Sequence, residues 1–373
     1  MLGIKRHATV QLFLVLSSVF WGQLQAQEAY DDPGPRQEYP PGLYAELQTP
    51  KGLIVISLAF DRVPMTVANF VGLAEGTIRN QAVPEGVPYY DGTVFHRVAP
   101  GHVIQAGRPT SELASTPGYS IPNEIHPTLG HGKEGMVGLA NGGPHTGKAE
   151  FYITLGDRSY LDGDYAVFGE VYEGMEVVRE IAPGDPIETV RIVRVGAEAG
   201  NFRPTAQSFR QMRREVRARV QAEEEARLAG DLAFLEASWP HAIKTEDGWS
   251  YVVLQEGQGA PLAPGDTAMV RYTGRTVRGM AFASIAESGD PDYLWPGTED
   301  GGCFFFVVGE GGVNPGFDEA VSGMARGEKR LVIVPSEKAY DPVGFYGVEK
   351  ERIPRFVIRP RSILIYEIEV LAR

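Results

Sequence analysis

A chain of 373 residues is too long for one ordinary core and predicts two domains with a connector. With 43% hydrophobic and 22% charged residues it has the make-up of a globular protein, and a formal net charge of −13 argues against a phosphate backbone as main partner. Cys303 is the single cysteine, so no internal disulfide can form.

The opening stretch, MLGIKRHATVQLFLVLSSVFWGQLQAQ, starts with Lys5, Arg6 and His7, continues with an apolar run from Val10 to Gly22, and reaches a small residue at Ala26. That layout predicts a secretory signal peptide over residues 1–26, cleaved after Ala26, and an exported protein, periplasmic or secreted. The apolar run is short for a bilayer span, so no stable membrane insertion is expected after signal removal. Residues 27–43, QEAYDDPGPRQEYPPGL, are rich in Pro, Gly and acids and predict a flexible tether.

Residues 44–196 predict a first domain. AELQTPKGLIVISLAFD is two strands about a Pro-Lys-Gly turn. VPMTVANFVGLAEGT is a helix: Pro64 suits its first turn, Val67, Phe70, Val71 and Ala74 make one apolar face, and Gly76 stops it. Short strands with Gly/Pro turns follow, which predicts a closed antiparallel barrel. Residues 197–246 predict a charged helical connector, with Phe209, Met212, Val216 and Val220 in a narrow stripe. A spacer is the favoured reading of that stripe, and a docking or homodimer seam is the sharper one. Residues 247–373 predict a second, mostly-β domain, in which VNPGFDEAVSGMARGEK is a short helix ended at Gly327.

TVFHRVAPGHVIQAGRP puts Arg97 and Gln105 into two short apolar strands. A guanidinium is not buried without partners. Arg97 is therefore either half of an interior ion pair or a charge at the floor of a concave apolar site. Five of the seven histidines, His96, His102, His126, His131 and His145, fall close together in sequence, but their spacings fit no metal-ligand pattern and none is assigned to a metal.

Three ordered stretches resemble the cyclophilins, peptidyl-prolyl cis-trans isomerases: ELQTPKGLIVISLAFDRVPMTVANFVGLAEG, FHRVAPGHVIQAG and GLANGGPHTGKAEFYITLGDRSYLDGDYAVFGEVYEGMEVV. The resemblance implies a cyclophilin-like barrel with two helices and no cofactor. It assigns catalysis to Arg97 with Gln105, a proline slot to His102, Val103, Tyr152 and Leu161, the substrate backbone to Ala140 and Asn141, and the rim to Tyr165. Several residues depart from the family's usual pattern: His102 and Tyr152 replace phenylalanines, Val103 a methionine, Glu150 a glutamine, Tyr160 a tryptophan and Tyr165 a histidine.

Residues 247–373 resemble the FKBP-type macrolide-binding proteins through GWSYVVLQEGQGAPLAPGDTAMVRYTGRTVRGMAFAS, FFFVVGEGGVNPGFDEAVSGMARGEKRLVIVPSEKAY and RPRSILIYEIEVL. That resemblance implies an antiparallel sheet wrapped on a short helix. Its proline pocket would comprise Tyr272, Phe282, Phe304, Phe306, Val313, Asn314, Phe317, Tyr340 and Tyr366. Ala283 replaces an aspartate, Asn314 an isoleucine, SIAESGDPDYLWPGTEDGGC is an insertion, and the stretch beyond Tyr340 is unusual for the loop over such a pocket. Weak activity or client binding is expected there.

Together these readings predict an exported isomerase that assists folding. It would act on proline-containing unfolded or flexible polypeptides, mainly through its first domain. The alternative is a non-catalytic periplasmic chaperone or scaffold that binds unfolded clients.

Overall fold

In the computed structural model of the chain, residues 39–108, 116–279, 281–284, 303–342, 344–348 and 354–371 are described. The expected signal peptide, residues 27–38 of the tether and all but the ends of the insertion lie outside them. Gly42–Arg373 form one compact unit; of the other, Met1–Pro41, only residues 39–41 are described.

The first strands are β1 (Gly42–Thr49) and β2 (Gly52–Leu58), paired from Leu43↔Leu58 to Thr49↔Gly52. The turn between them closes as Thr49 Oγ1 donates to the Gly52 carbonyl at 2.8 Å. The other strands of this sheet are β3 (Arg97–Ala99), β4 (Val103–Ala106), β5 (Met136–Leu139), β6 (Phe151–Thr154), β7 (Val167–Glu173) and β8 (Thr189–Val195). All pairings are antiparallel, in the order β3-β4-β6-β5-β7-β2-β1-β8. No ladder among the described strands joins β3 to β8; Val94 makes single bridges to Arg108 and Pro186.

Helix α1 (Pro64–Ala74) departs from the expectation of one apolar face, for every residue from Met65 to Ala74 is buried. Its polar side is satisfied internally. Thr66 gives its N–H and hydroxyl to the Glu124 carboxylate at 2.8 and 3.0 Å. Asn69 donates to the Lys148 carbonyl at 2.7 Å and accepts from the Tyr119 hydroxyl at 2.9 Å. Such pairing is what allows polar groups to be buried.

Two short helices, α2 (Met175–Glu180) and α3 (Ala197–Asn201), precede α4 (Ala206–Ser238), a helix of 33 residues and roughly 50 Å at 1.5 Å per residue. Thr205 and Ser208 form a capping box at its start. Helix α4 packs on α1, and Phe209 and Val216 are buried in the first core with Met212 and Val220 against it. Leu235, with Leu228 and Trp239 alongside, joins Val277, Leu331, Ile333, Ile363 and Ile365 in another apolar cluster. The stripe expected on the connector is thus packed against the first core, and the far end of the helix is packed through residues outside that stripe.

The second sheet comprises β9 (Ile243–Lys244), β10 (Ser250–Gln255), β11 (Thr267–Thr276), β12 (Ala281–Ser284), β13 (Phe304–Val307), β14 (Lys329–Val334) and β17 (Leu364–Val370). Its order is β12-β11-β17-β14-β10-β9, with β13 also paired to β11. Strands β15 (Phe345–Val348) and β16 (Pro354–Ile358) make a separate hairpin. Helix α5 (Pro315–Val321) buries Phe317, Ala320 and Val321. It ends at Val321, not at Gly327: Ser322 is already extended, and Gly327 (φ 77) turns the chain just before β14.

Candidate active site

Arg97, Gln105 and Tyr152 lie in one row across three strands, since Arg97 pairs with Gln105 in the β3–β4 ladder and Gln105 with Tyr152 in the β4–β6 ladder. Residues directly opposite in a sheet share a face, so the row points to one side. The next partner in line, across β5, is Gly138, where any Cβ would collide with the Tyr152 ring. Glycine there gives the aromatic its room.

That side opens into a cavity of about 230 Å³ lined by Arg97, His102, Val103, Gln105, Ala140, Asn141, Tyr152, Leu161 and Tyr165. All nine residues expected at the first site therefore meet. Val103, Tyr152 and Leu161 form a buried apolar cluster with Ala140, Tyr160 and Tyr165 packed against it.

Arg97 is exposed, which rules out the interior one of its two expected placements. β3 is a short edge strand, and its end places the side chain at the mouth of the cavity. Among the described residues no hydrogen bond or ion pair holds the Arg97 guanidinium. The Gln105 side chain is bonded elsewhere. Its Nε2 donates to Glu150 Oε2 at 2.8 Å. Glu150 also lies 3.1 Å from Arg108 Nε and 3.3 Å from His96 Nε2. With its nitrogen end committed, the Gln105 amide is fixed in one orientation.

His102 stacks beside Tyr160 with ring centroids 6.4 Å apart, its Nδ1 3.3 Å from the Tyr160 hydroxyl. Burial, then the charges of Arg97 and Arg158, lower its pKa to about 4. Near neutral pH the floor of the cavity is thus an uncharged ring.

Behind the cavity runs a polar chain with little trace in the sequence. His131 is fully buried; its Nδ1 and its backbone N–H lie 2.6 and 2.8 Å from Asp162 Oδ1. Its Nε2 lies 2.8 Å from the Tyr152 hydroxyl. The carboxylate accepts from Nδ1–H, which leaves Nε2 to accept from the tyrosine. Burial lowers the His131 pKa, against the pull of Asp162, so the neutral form suits this arrangement. The only sequence signal is a histidine ten residues before Asn141 with no other assignment. Asn141 is tied in turn: its Nδ2 donates to the Asp164 carbonyl at 2.9 Å and its Oδ1 accepts from Gly143 N–H at 3.1 Å.

In the second half, Tyr272, Phe282, Phe306, Phe317 and Tyr366 are buried in one core, with Phe304, Val313 and Tyr340 packed against it. Tyr272 and Tyr366 stand 5.0 and 5.1 Å from Phe317 by ring centroid. Strand alternation places Phe304 and Phe306 on one face, stacked at 5.6 Å, and leaves Phe305 exposed. Asn314 holds the helix start in place. Its Oδ1 caps α5 by accepting from Phe317 N–H at 3.0 Å, and its Nδ2 donates to the Tyr366 hydroxyl at 2.9 Å. Burial holds the Tyr366 hydroxyl well above its usual pKa. The Ala283 side chain lies outside the described residues.

Residues 44–197 match the family described as cyclophilin type peptidyl-prolyl cis-trans isomerase/CLD. Residues 259–371 match FKBP-type peptidyl-prolyl cis-trans isomerase. Among curated proteins, the chain is 39% identical over 165 residues to a probable peptidyl-prolyl cis-trans isomerase A of Mycobacterium leprae, covering 43% of this chain and 85% of that one. It is 42% identical over 147 residues to peptidyl-prolyl cis-trans isomerase B of Streptomyces anulatus, covering 38% and 83%. A crystal structure of a cyclophilin type peptidyl-prolyl cis-trans isomerase of Cryptosporidium parvum aligns with a TM-score of 0.34 and 25% identity, over 41% of this chain and 98% of that one. Sequence identity at this level, sustained over most of its relatives' length, makes this chain a member of the cyclophilin-type peptidyl-prolyl cis-trans isomerases.

Proposed function

We propose that catalysis resides in the cavity beside Arg97, and that this isomerase is an exported folding helper acting on proline-containing unfolded or flexible chains. The observation that carries the reading is a guanidinium with no ion pair, among the described residues, at the mouth of an apolar cavity.

Rotation about an X–Pro bond breaks amide resonance and meets a barrier of about 18–20 kcal/mol. In the twisted state the proline nitrogen regains its lone pair. A donor aimed at that nitrogen stabilises the twisted state more than either planar one. Arg97 stays charged and carries rigidly forked donors. The proline ring enters the slot of Val103, Tyr152, Leu161 and uncharged His102. Ala140 and Asn141 run beside the substrate backbone, Gln105 turns its carbonyl oxygen toward it, and Tyr165 forms the rim. Closure of the first sheet into a barrel belongs to this reading, supported by the bridges at Val94. So does the division into domains at 44–196 and 247–373, supported by two separate cores.

Export rests on the three-part layout of residues 1–26. For the C-terminal segment the favoured role is holding clients without much turnover, because its aromatic side chains pack on one another. A homodimer through α4 would have to use a face other than its buried stripe, and Leu232 and Phe234 are exposed there.

Refolding of a client limited by proline isomerisation tests the central claim. Arg97→Ala should slow the catalysed rate by about 10²–10³-fold, as loss of one such donor does elsewhere, and should leave suppression of aggregation intact. Refolding at the wild-type rate would refute catalysis at this cavity.

A further inference from the structure

The chain just beyond β16 reaches the back of the first cavity. Arg359 Nη2 lies 2.8 Å from Asp164 Oδ1. The aspartate side chain is 10% exposed and the arginine 57%, so the acid is the fixed partner. Asp164 directly precedes Tyr165, and its carbonyl oxygen accepts the side-chain amides of Asn141 at 2.9 Å and Asn123 at 2.6 Å. A second route arrives at the same place. Arg361 Nη1 is 3.3 Å from Glu224 Oε2 on α4, and Glu224 Oε1 is 3.2 Å from His145 Nε2. His145 Nδ1 accepts the Asn123 N–H at 3.1 Å, and Asn123 Oδ1 accepts the His145 N–H at 3.2 Å. Arg361 itself is held in a left-handed conformation (φ 58), with its N–H on Asp341 at 3.1 Å.

We propose that Arg359 is a positioning residue for the isomerase cavity: the C-terminal segment sets the place of Asn141 through Asp164. The proposal rests on the reading of Asn141 as a substrate-backbone residue. Withdrawing the guanidinium removes the 2.8 Å contact that holds one Asp164 oxygen in place, which loosens a side chain otherwise only 10% exposed. Gly163 (φ 83) lies next to it and can hinge its movement. The Asp164 carbonyl then swings with its own side chain and loosens Asn141.

The test compares full-length wild type with Arg359→Ala, Arg359→Lys, Asp164→Asn and the Arg359→Ala/Asp164→Asn double variant, using a proline-containing peptide. Arg191→Ala serves as control, since Arg191 pairs with Glu46 across β8 and β1 at 3.8 Å and shares no partner with the chain of contacts above. The expected result is a KM raised about three- to fivefold by Arg359→Ala at nearly constant kcat, the size of one half-exposed ion pair. Arg359→Lys should restore much of it, Arg191→Ala should match wild type, and Arg359→Ala should add nothing to Asp164→Asn. The Asn141 side-chain amide signal in nitrogen-15 NMR should move in Arg359→Ala only among the two arginine-to-alanine variants. An unchanged KM in Arg359→Ala overturns the brace, and so does full additivity with Asp164→Asn. If Arg97→Ala is also as fast as wild type, the reading of the cavity itself fails, which separates the two claims.

Discussion

Tyr152 serves two ends that pull in different directions. Its ring is wall for the cavity, while its hydroxyl is committed to His131 and, beyond it, Asp162. The hydrogen bond reconciles them, because a satisfied hydroxyl can lie beside an apolar slot without a desolvation cost. His102 reaches the same end by titration. With its pKa lowered to about 4, it is neutral where an ordinary histidine would begin to charge. The unfolded chain binds that proton at about pH 6.5, so between roughly pH 6.5 and 4 the unfolded state holds more protons than the folded one. Stability therefore falls as pH drops through this window and levels off below it. His102→Phe removes this contribution. In denaturant titrations from pH 7 to pH 4, its midpoint should gain steadily on wild type as pH falls; parallel curves would mean His102 is not held neutral. Wild-type turnover should likewise show no inflection near pH 6.5 from this residue.

Among elements, α4 changes meaning most between sequence and structure. A narrow stripe on a charged helix says that something covers it, not what. Phe209, Met212, Val216 and Val220 are legible as a row, but the helix they pack on, α1, carries polar Thr66 and Asn69 among its buried residues. Thr66 and Asn69 can be buried because Glu124, Tyr119 and the Lys148 carbonyl satisfy them, and such long-range partners leave no periodic trace. The cavity was legible for the opposite reason. Its residues occur in three ordered motifs, and the alternation of β3, β4 and β6 then puts Arg97, Gln105 and Tyr152 in register. Glu150 was visible only as a departure from pattern, without its partners. Phe209→Ala distinguishes an internal stripe from a dimer seam. It should lower the unfolding free energy by about 3–5 kcal/mol, the usual cost of emptying a buried phenylalanine site, with no change of mass in light scattering. A halved mass with unchanged stability would restore the seam.

On the scale of the molecule, α4 makes the two halves thermodynamically unequal. Its N-terminal half completes the first core through Phe209 and Val216, and its C-terminal half serves the cluster around Leu331, Ile333 and Ile365 through Leu235. Burying each large apolar side chain contributes about 1.5–3 kcal/mol. Losing Phe209 and Val216 together would thus remove about 3–6 kcal/mol from a domain whose whole stability is of the order of 5–15 kcal/mol. A chain of residues 39–246, which keeps α4, should melt cooperatively and keep isomerase activity, whereas residues 39–201 should be marginal and aggregate, because α1 would lose its outer cover. Calorimetry on the two truncations decides this. If the shorter chain melts within a few degrees of the longer one, α4 is a passenger on the first half, and its stripe must be assigned to another partner. If only the longer chain folds, the helix is part of the isomerase rather than a link to the next segment, and the boundary between the halves belongs at its C-terminal end.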